Sequence, residues 1–504
     1  MLAVELVRRG AQRFADRTAV VVGDREFSFA EVDERASRLA NALLAAGAGR
    51  GTRVGLLVDN GEWSVPLDFA CLKAGVTRVP LNARLAVAEQ TRMLAETGVT
   101  LLVYCKPLAE RAAELAEALD GLRLAGLGDR LRARDLDLVA ELDRVPAADP
   151  CIRVAPDDVV LALYTSGTTG TLKAAQHTQA SYAAITTNIL ANLLSPGPGS
   201  AMLHAASLIH ASGTFVLPYW IRGGRAVVLP GFDPGSYLDS IARHHVTEVN
   251  LVPTMLGLLL TESSVDLSAV DTIVYGASPM PKPLIQEAME RFGPKFVQYY
   301  GQTEAPLCQT VLGKADHLRG ELLGSCGHPA VDAELVLTDP DGNPVPRGEI
   351  GEIRVRAPFT MSGYLDAPEL TAETLVDGWI RTRDLARADE RGYLYLVDRA
   401  SDMIVTGGYN VYPREVEDAL AAHPAVAESA VVGAPDPTWV EAVTAFVALR
   451  PGAAVSEEDL RTHVRGLLAG YKVPKSVHVV DAIPKSAVGK ILRRALRDPL
   501  WEDR

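Results

Sequence analysis

Apolar and polar positions along this chain repeat with two periods, one suited to strands and one to helices. Val20-Val21-Val22 and Phe27 flank Gly23-Asp24, the pattern of a hairpin. Ser28 with Glu31 has the form of a capping box, and the helix it opens carries Val32, Leu39 and Leu43 on one face and stops at Gly47. Strands are then expected over 54–58, 76–80 and 101–104, with helices over 63–73, 86–96 and 108–119 between and after them. Such alternation predicts a parallel sheet covered on both faces. Residues 121–150, rich in Arg, Asp and Ala, are expected to run over the surface. The alternation resumes with an apolar run at Val159–Leu163 and with strands expected over 225–229 and 271–275.

From Glu334 the texture changes to short strands broken by Asp341-Gly342-Asn343-Pro344 and Pro346-Arg347-Gly348, which predicts a smaller antiparallel subdomain. Near Asp398–Asp402 it changes again. A helix is expected from Pro413 to His423, strands over 426–432 and 443–449, a helix from Ser456 to Gly470 and a strand over 477–480. That is a separate α+β module.

Composition narrows the class. A chain of 504 residues buries a large core and holds at least two domains. Its net charge of −13 argues against nucleic acid as a partner, although a local positive site for a nucleotide stays compatible with it. Cys71, Cys105, Cys151, Cys308 and Cys326 are odd in number and scattered, with neither zinc nor disulfide spacing, so they read as reduced thiols of a cytoplasmic protein. Glu5 comes early, no apolar core precedes a cleavage site, and no run has the length of a membrane span.

Candidate chemistry starts at Tyr164-Thr165-Ser166-Gly167-Thr168-Thr169-Gly170-Thr171-Leu172-Lys173-Ala174, directly after the apolar run. Glycines let a backbone approach an anion, and hydroxyls and amides donate to phosphate oxygens. A plain Ser/Thr/Gly turn is the bland alternative. The P-loop of ordinary NTPases is excluded, because Thr171 and Leu172 separate the last glycine from Lys173 and Ala174 follows it. Downstream stand Gly276-Ala277-Ser278-Pro279, Gln298-Tyr299-Tyr300-Gly301-Gln302-Thr303-Glu304, Trp379–Leu385, Asp398–Ile404, Gly407-Gly408-Tyr409 and Pro484–Arg494.

In this order the segments resemble those of the adenylate-forming enzymes, which include acyl-CoA synthetases, luciferases and peptide-synthetase adenylation domains; the acyl-CoA synthetase branch is the nearest in pattern. The resemblance runs from Gly23-Asp24 to Arg494. It implies an α/β fold: a large N-terminal AMP-binding domain of doubly wound sheets with a small antiparallel subdomain over 1–398, a hinge at 399–402 and a mobile α+β lid domain over 403–504. It implies ATP, Mg²⁺ and coenzyme A as cofactors. Thr165, Ser166, Gly167, Thr168, Thr169, Gly170 and Lys173 would hold phosphates. Gly276, Ala277, Ser278, Gln298, Tyr299, Tyr300 and Gly301 would line the adenine, Thr303 would meet the α-phosphate and Glu304 the metal. Asp384 would accept the ribose hydroxyls and Arg399 would touch the nucleotide. Ser401 would be the pivot, Gly407, Gly408 and Tyr409 would line the pantetheine tunnel, and Lys490 would be the catalytic lysine. Leu172, Ala174, Ser207, Arg383 and Ser401 depart from the family's usual residues, and none of these removes a group that performs chemistry.

The implied reaction has two halves: a carboxylate displaces pyrophosphate from ATP, then a thiol takes the acyl group from the adenylate. The expected acyl pocket is formed by Leu208, Ile209, Phe215, Gln302, Ala305 and Leu307, with His210 as a gate or carboxylate neighbour and a plain core histidine as the lesser alternative. These walls hold no Arg or Lys for a second carboxylate and no Asp for an amino group, so a bulky apolar acid (fatty, alicyclic or aromatic) is expected. An acyl-AMP ligase loading a carrier-protein thiol and a non-catalytic nucleotide-binding scaffold are the alternatives. Glu304, Asp384 and Lys490 weigh against the scaffold.

Overall fold

The computed structural model describes the chain except residues 129–131, 165–172, 210, 279, 400–401, 407–408, 487–489 and 503–504. Two large sheets form its body. One runs, edge to edge, through strands His328–Pro329, Ala305–Leu312, Phe296–Gln302, Thr272–Tyr275, Glu248–Leu251, Ala201–His204, Arg225–Val228, Thr18–Val22 and Arg25–Ser28. The other runs through Gly363–Tyr364, Ala174–Thr178, Val159–Tyr164, Thr77–Pro80, Arg53–Leu57, Leu101–Cys105, Arg123–Leu127 and Leu136–Asp137. Central strands of both pair in parallel, as the strand–helix alternation requires.

The sheets are cemented by a shared layer of helices. Val65, Phe69, Ile185, Phe215 and Trp220 from these helices meet Val20, Met202 and Val274 of one sheet and Val160 and Ala175 of the other in a single core. Trp220 fixes the opening helix Ala3–Phe14 by donating its indole N–H to the Val7 carbonyl at 2.7 Å. A Cβ on Gly10 would stand 2.2 Å from the Trp220 ring, so only glycine admits this contact. The capping box at Ser28 forms with both bonds, 3.1 Å from the Glu31 N–H to Ser28 Oγ and 2.7 Å from the Ser28 N–H to Glu31 Oε2.

The 121–150 segment differs from expectation. Arg123–Leu127 is a strand parallel to Leu101–Cys105, because Leu124, Ala125 and Leu127 find apolar partners beneath two helices. Asp149 turns inward as well. It pairs with Lys73 at 3.0 Å and Arg8 at 2.9 Å, and Lys73 also meets Asp33 at 2.7 Å and donates to Ser37 Oγ at 2.9 Å. The opening helix and the strand Arg123–Leu127 were not among the expected elements.

The antiparallel subdomain pairs Glu334–Thr338, Ile350–Arg356, Trp379–Ala388 and Leu394–Arg399. The tail module has its own sheet: the hairpin Val426–Asp436/Val440–Leu449 flanked by Ile404–Thr406, Tyr409–Val411 and Ser476–Val479, with helices Pro413–Ala421 and Glu457–Leu467 closing a separate core. Among the described residues no helix is long and apolar enough to cross a membrane.

Lys73 has a fully buried side chain whose charge meets the carboxylates of Asp33 and Asp149. Removing one side of such a pair costs about 3–5 kcal/mol. Lys73→Met is therefore expected to move the first urea transition to markedly lower denaturant, and an unchanged midpoint would contradict this packing.

Candidate active site

The site is built around a tight turn between strands Phe296–Gln302 and Ala305–Leu312, which places Thr303 and Glu304 at its tip. Gly301 is required there, since a Cβ would stand 2.1 Å from the Leu307 carbonyl. The turn is held from behind. His177 Nε2 donates to the Thr303 carbonyl at 2.8 Å, and the Met361 N–H donates to the Glu304 carbonyl at 2.8 Å. Burial pushes the His177 imidazolium down to about 4, so the ring is neutral, with the proton on the bonded nitrogen.

Glu304 projects one oxygen to the Tyr364 hydroxyl, which donates to Oε1 at 2.6 Å. Burial and the Glu304 charge both push the Tyr364 phenol up, so it stays a donor. Lys173 lies over the Tyr364 ring, 5.7 Å from its centre, and its ammonium is pushed down by burial and by Arg383 while Glu304 pulls it up. Among the described residues no group of three or more potential ligands forms a metal cage. A Mg²⁺ ion needs none: it takes one or two carboxylates and fills its octahedron with phosphate oxygens and water. Glu304, with one oxygen bonded by Tyr364, fits that demand.

Asp384 is buried. The Tyr300 hydroxyl donates to its Oδ2 at 2.6 Å, and Arg399 Nε lies 3.1 Å from its Oδ1. Arg383, which replaces the glycine usual in the resembling family, takes a φ of 61°, a left-handed conformation. The departure thus falls where a glycine would be at ease.

Lys490 joins these residues from the tail. Ser486 N–H donates to the Lys490 carbonyl at 2.7 Å, Lys490 N–H to Ser486 Oγ at 3.1 Å, and Leu492 N–H to the Pro484 carbonyl at 2.9 Å, closing a narrow loop. Burial and the Arg399 guanidinium push the Lys490 ammonium down, and Asp384 and Glu304 pull it up. Three residues on, Arg493 sits among Glu417 at 2.7 Å, Asp402 at 3.1 Å and Asp398 at 3.7 Å. Burial pushes the Asp398 carboxyl up to about 6 against the pull of Arg493.

A cavity of about 740 Å³ opens at Lys485, Ser486 and Lys490 and runs past Gly301, Gln302 and Thr303 into the space between the two large sheets. Leu208, Ile209, Gln302 and Leu307 line it, together with Ala277 and Tyr299. Phe215 and Ala305 are fully buried outside its wall, Phe215 packing edge-on against Tyr299 at 6.2 Å. Tyr300 does not line this cavity, and its hydroxyl bonds Asp384. Gln298 Oε1 accepts from the Tyr275 hydroxyl at 3.3 Å, Gly276 lies against Tyr299, and Ser278 is half-buried. Tyr409 is exposed and stacked on Tyr471 at 4.7 Å. Thr165, Ser166, Gly167, Thr168, Thr169, Gly170, His210, Ser401, Gly407 and Gly408 lie outside the described residues.

Sequence reasoning missed His177, Tyr364, Arg78 and Asp68. Tyr364 and His177 act through a distant strand and a backbone carbonyl, which no local motif signals. Arg78 had a signal: an arginine inside the apolar strand run Val76–Pro80 demands a buried partner.

A raised carboxyl pKa has a defined consequence. Asp398 in the fold holds its proton more tightly than in the unfolded chain, so the stability it contributes is complete below about pH 4 and is lost as pH rises through about 6. The melting-temperature difference between the wild type and Asp398→Asn should therefore shift in favour of the variant between pH 4 and 6.5 and stay flat above. A difference independent of pH across that window would contradict it.

A family model described as AMP-binding enzyme matches residues 7–365, and one described as AMP-binding enzyme C-terminal domain matches residues 415–490. The chain is 39% identical over 508 residues to the medium/long-chain-fatty-acid–CoA ligase FadD8 of Mycobacterium tuberculosis, covering 97% of this chain and 89% of the relative. It is 40% identical over 494 residues to a feruloyl-CoA synthase of Amycolatopsis, covering 97% of each. Among solved structures, the amide bond synthetase McbA of Marinactinospora thermotolerans superposes with a TM-score of 0.91 at 33% identity, covering 99% of each chain.

Proposed function

The chain belongs to the AMP-binding enzyme family, and from that premise we propose that it is an AMP-forming acid–thiol ligase that activates a carboxylic acid with ATP and passes the acyl group to coenzyme A. What supports this reading is that Lys490, from the tail module, lines the cavity and lies within electrostatic reach of Glu304, Asp384 and Arg399.

The obstacle to the first half-reaction is charge, since a carboxylate must approach a polyphosphate. Lys173, Arg399 and Lys490 bring three cations to the cleft, and the low-dielectric surroundings strengthen what each does for the developing negative charge. The buried Asp384 offers acceptor oxygens to a sugar hydroxyl, and its bonds from Tyr300 and Arg399 fix its orientation. Thr303, on the rigid turn, presents a hydroxyl to the α-phosphate, and Glu304 would hold Mg²⁺, which supplies further neutralisation of the phosphates when bound. The acid lies in the cavity with its apolar part between the sheets, so water is kept from the activated carbonyl.

We place the second half-reaction in a different arrangement, with the tail module turned about residues 399–402, Lys490 withdrawn and the 407–409 segment brought to the cavity mouth. The thiol then attacks the mixed anhydride and AMP leaves. Five unpaired cysteines and the need for ATP and coenzyme A suit the reducing interior of a cell, and we place the enzyme in the cytoplasm. The acid is a bulky apolar one.

Replacing Lys490 by alanine should slow adenylation by about 10²–10³, the loss typical of one stabilising donor, and leave thioester formation from preformed adenylate nearly unchanged. Equal losses in both half-reactions would sink the assignment. A panel of acids followed by mass spectrometry, with coenzyme A, a carrier protein or an amine as acceptor, tests the acceptor. Acyl-CoA is expected, and product only with the protein or the amine would overturn it.

A further inference from the structure

Strand Trp379–Ala388 loses its regular pairing where it reaches the site. Against strand Ile350–Arg356, Arg381 faces Arg354 and Leu385 faces Glu352, so Thr382, Arg383 and Asp384 bulge opposite Ile353 alone. A bulge re-aims side chains, and bulges gather beside active sites. Asp384 turns inward to Tyr300 and Arg399. Arg383 takes the left-handed φ of 61°, which glycine adopts freely and a residue with a Cβ adopts only at a cost. Glu352 pins this backbone: the Arg383 N–H donates to its Oε1 at 3.1 Å, and its Oε2 pairs with Arg381 at 2.7 Å. Strain held in place at a site calls for a reason in the side chain.

That side chain reaches away from Asp384. Arg383 Nη2 lies 3.6 Å from Glu373, with 45% and 67% of the two side chains exposed. Such a loose, hydrated pair is worth little and is readily exchanged. Glu373 belongs to helix Pro368–Thr374, which is tied to Tyr364 by a bond from the Tyr364 N–H to Thr371 Oγ1 at 2.9 Å. Tyr364 faces Ala175 on the neighbouring strand and carries Lys173 over its ring. The helix therefore brings the Arg383 guanidinium to the Lys173 side of the cleft. The electrostatics agree, since the charges acting on Lys173 are those of Arg383, Glu304 and Glu373. Those acting on Lys490 are Arg399, Asp384 and Glu304. Each lysine has its own arginine, and Glu304 lies within reach of both groups.

We propose that Arg383 is a further phosphate-binding residue, holding the β- and γ-phosphates of ATP and then the pyrophosphate they become. This rests on the acid-activating reading above. Asp384 and Thr303 take the ribose and the α-phosphate on the Lys490 side, so the remaining phosphates extend past Glu304 towards Lys173 and Arg383. In the first half-reaction a carboxylate oxygen bonds the α-phosphorus while the bond from that phosphorus to the α,β-bridging oxygen breaks. Pyrophosphate leaves with the electron pair, and its growing charge meets the guanidinium. A planar guanidinium bonds phosphate oxygens two at a time, and a polyphosphate outbids the single loosely held carboxylate of Glu373. Glycine at 383 would relax the backbone and remove the cation.

Calorimetric titration of the full-length enzyme with ATP, pyrophosphate and AMP, in excess Mg²⁺ and without acid, tests this on the wild type, Arg383→Gly and Arg383→Lys. Arg383→Gly should bind ATP and pyrophosphate about ten-fold or more weakly, the loss expected for a hydrogen bond to a charged group, and AMP as the wild type does. Arg383→Lys should recover part of the loss, since it restores the charge without the fork. Arg383→Gly should also melt no lower than the wild type, because glycine takes this φ without strain, so weaker binding is not a folding defect. Wild-type affinity of Arg383→Gly for ATP and pyrophosphate, or an equal loss for AMP, overturns the proposal and leaves the ligase reading intact. The expected binding pattern with no adenylate formed from any acid would instead refute the ligase reading and keep Arg383 as a phosphate-binding residue.

Discussion

Arg493 is the contact on which the arrangement turns. Burial works against its charge, but Glu417, Asp398 and Asp402 outweigh that cost and hold it ionised. Asp398 lies in the body's last strand, Leu394–Arg399, Asp402 follows that strand, and Glu417 belongs to the tail's first helix. One guanidinium therefore ties three parts of the chain together. Lys490 lies three residues before it on a closed loop, so the position of the lysine follows from that ion cluster. The price is electrostatic frustration: three carboxylates share one cation, and the Asp398 carboxyl is pushed up to about 6. A joint made this way can be released, because each ion that leaves it regains water.

The body supplies the opposite property. Its two sheets share one helix layer, with Trp220 and Phe29 4.4 Å apart and Phe69 4.7 Å from Trp220, and the Thr303-Glu304 turn is fixed by bonds from His177, Tyr364 and Met361. We propose that this fixed turn is the anion-binding floor beneath a detachable cationic lid, which lets one cavity serve two unlike reactions.

Much of this was legible in the chain. Elements were readable where a capping residue or a sustained period marked them, as at Ser28-Glu31 and at Pro413, and the chemistry was readable where residues cluster locally, as at Thr303-Glu304 and Lys490. Legibility failed where meaning depends on distant partners. Phe215 looked like pocket wall because it is apolar and near Leu208, yet it packs behind Tyr299. Tyr300 was legible as an aromatic beside Gly301, but the bond of its hydroxyl to Asp384, 84 residues on, was not. The Asp68–Arg78 pair was invisible because its members come from a helix and the strand after it, and only the folded chain brings them together beside the cavity. Asp149 was assigned to the surface on composition, while its inward turn depends on Lys73.

The central claim is that the Arg493 cluster delivers Lys490 to the site for adenylation and for that step only. Single-turnover kinetics of Arg493→Met, with each half-reaction started separately, test it most directly. The account predicts a large loss in adenylate formation, with acyl transfer from supplied adenylate to coenzyme A unchanged or faster. Adenylation at the wild-type rate, or an equal loss in both steps, would contradict it.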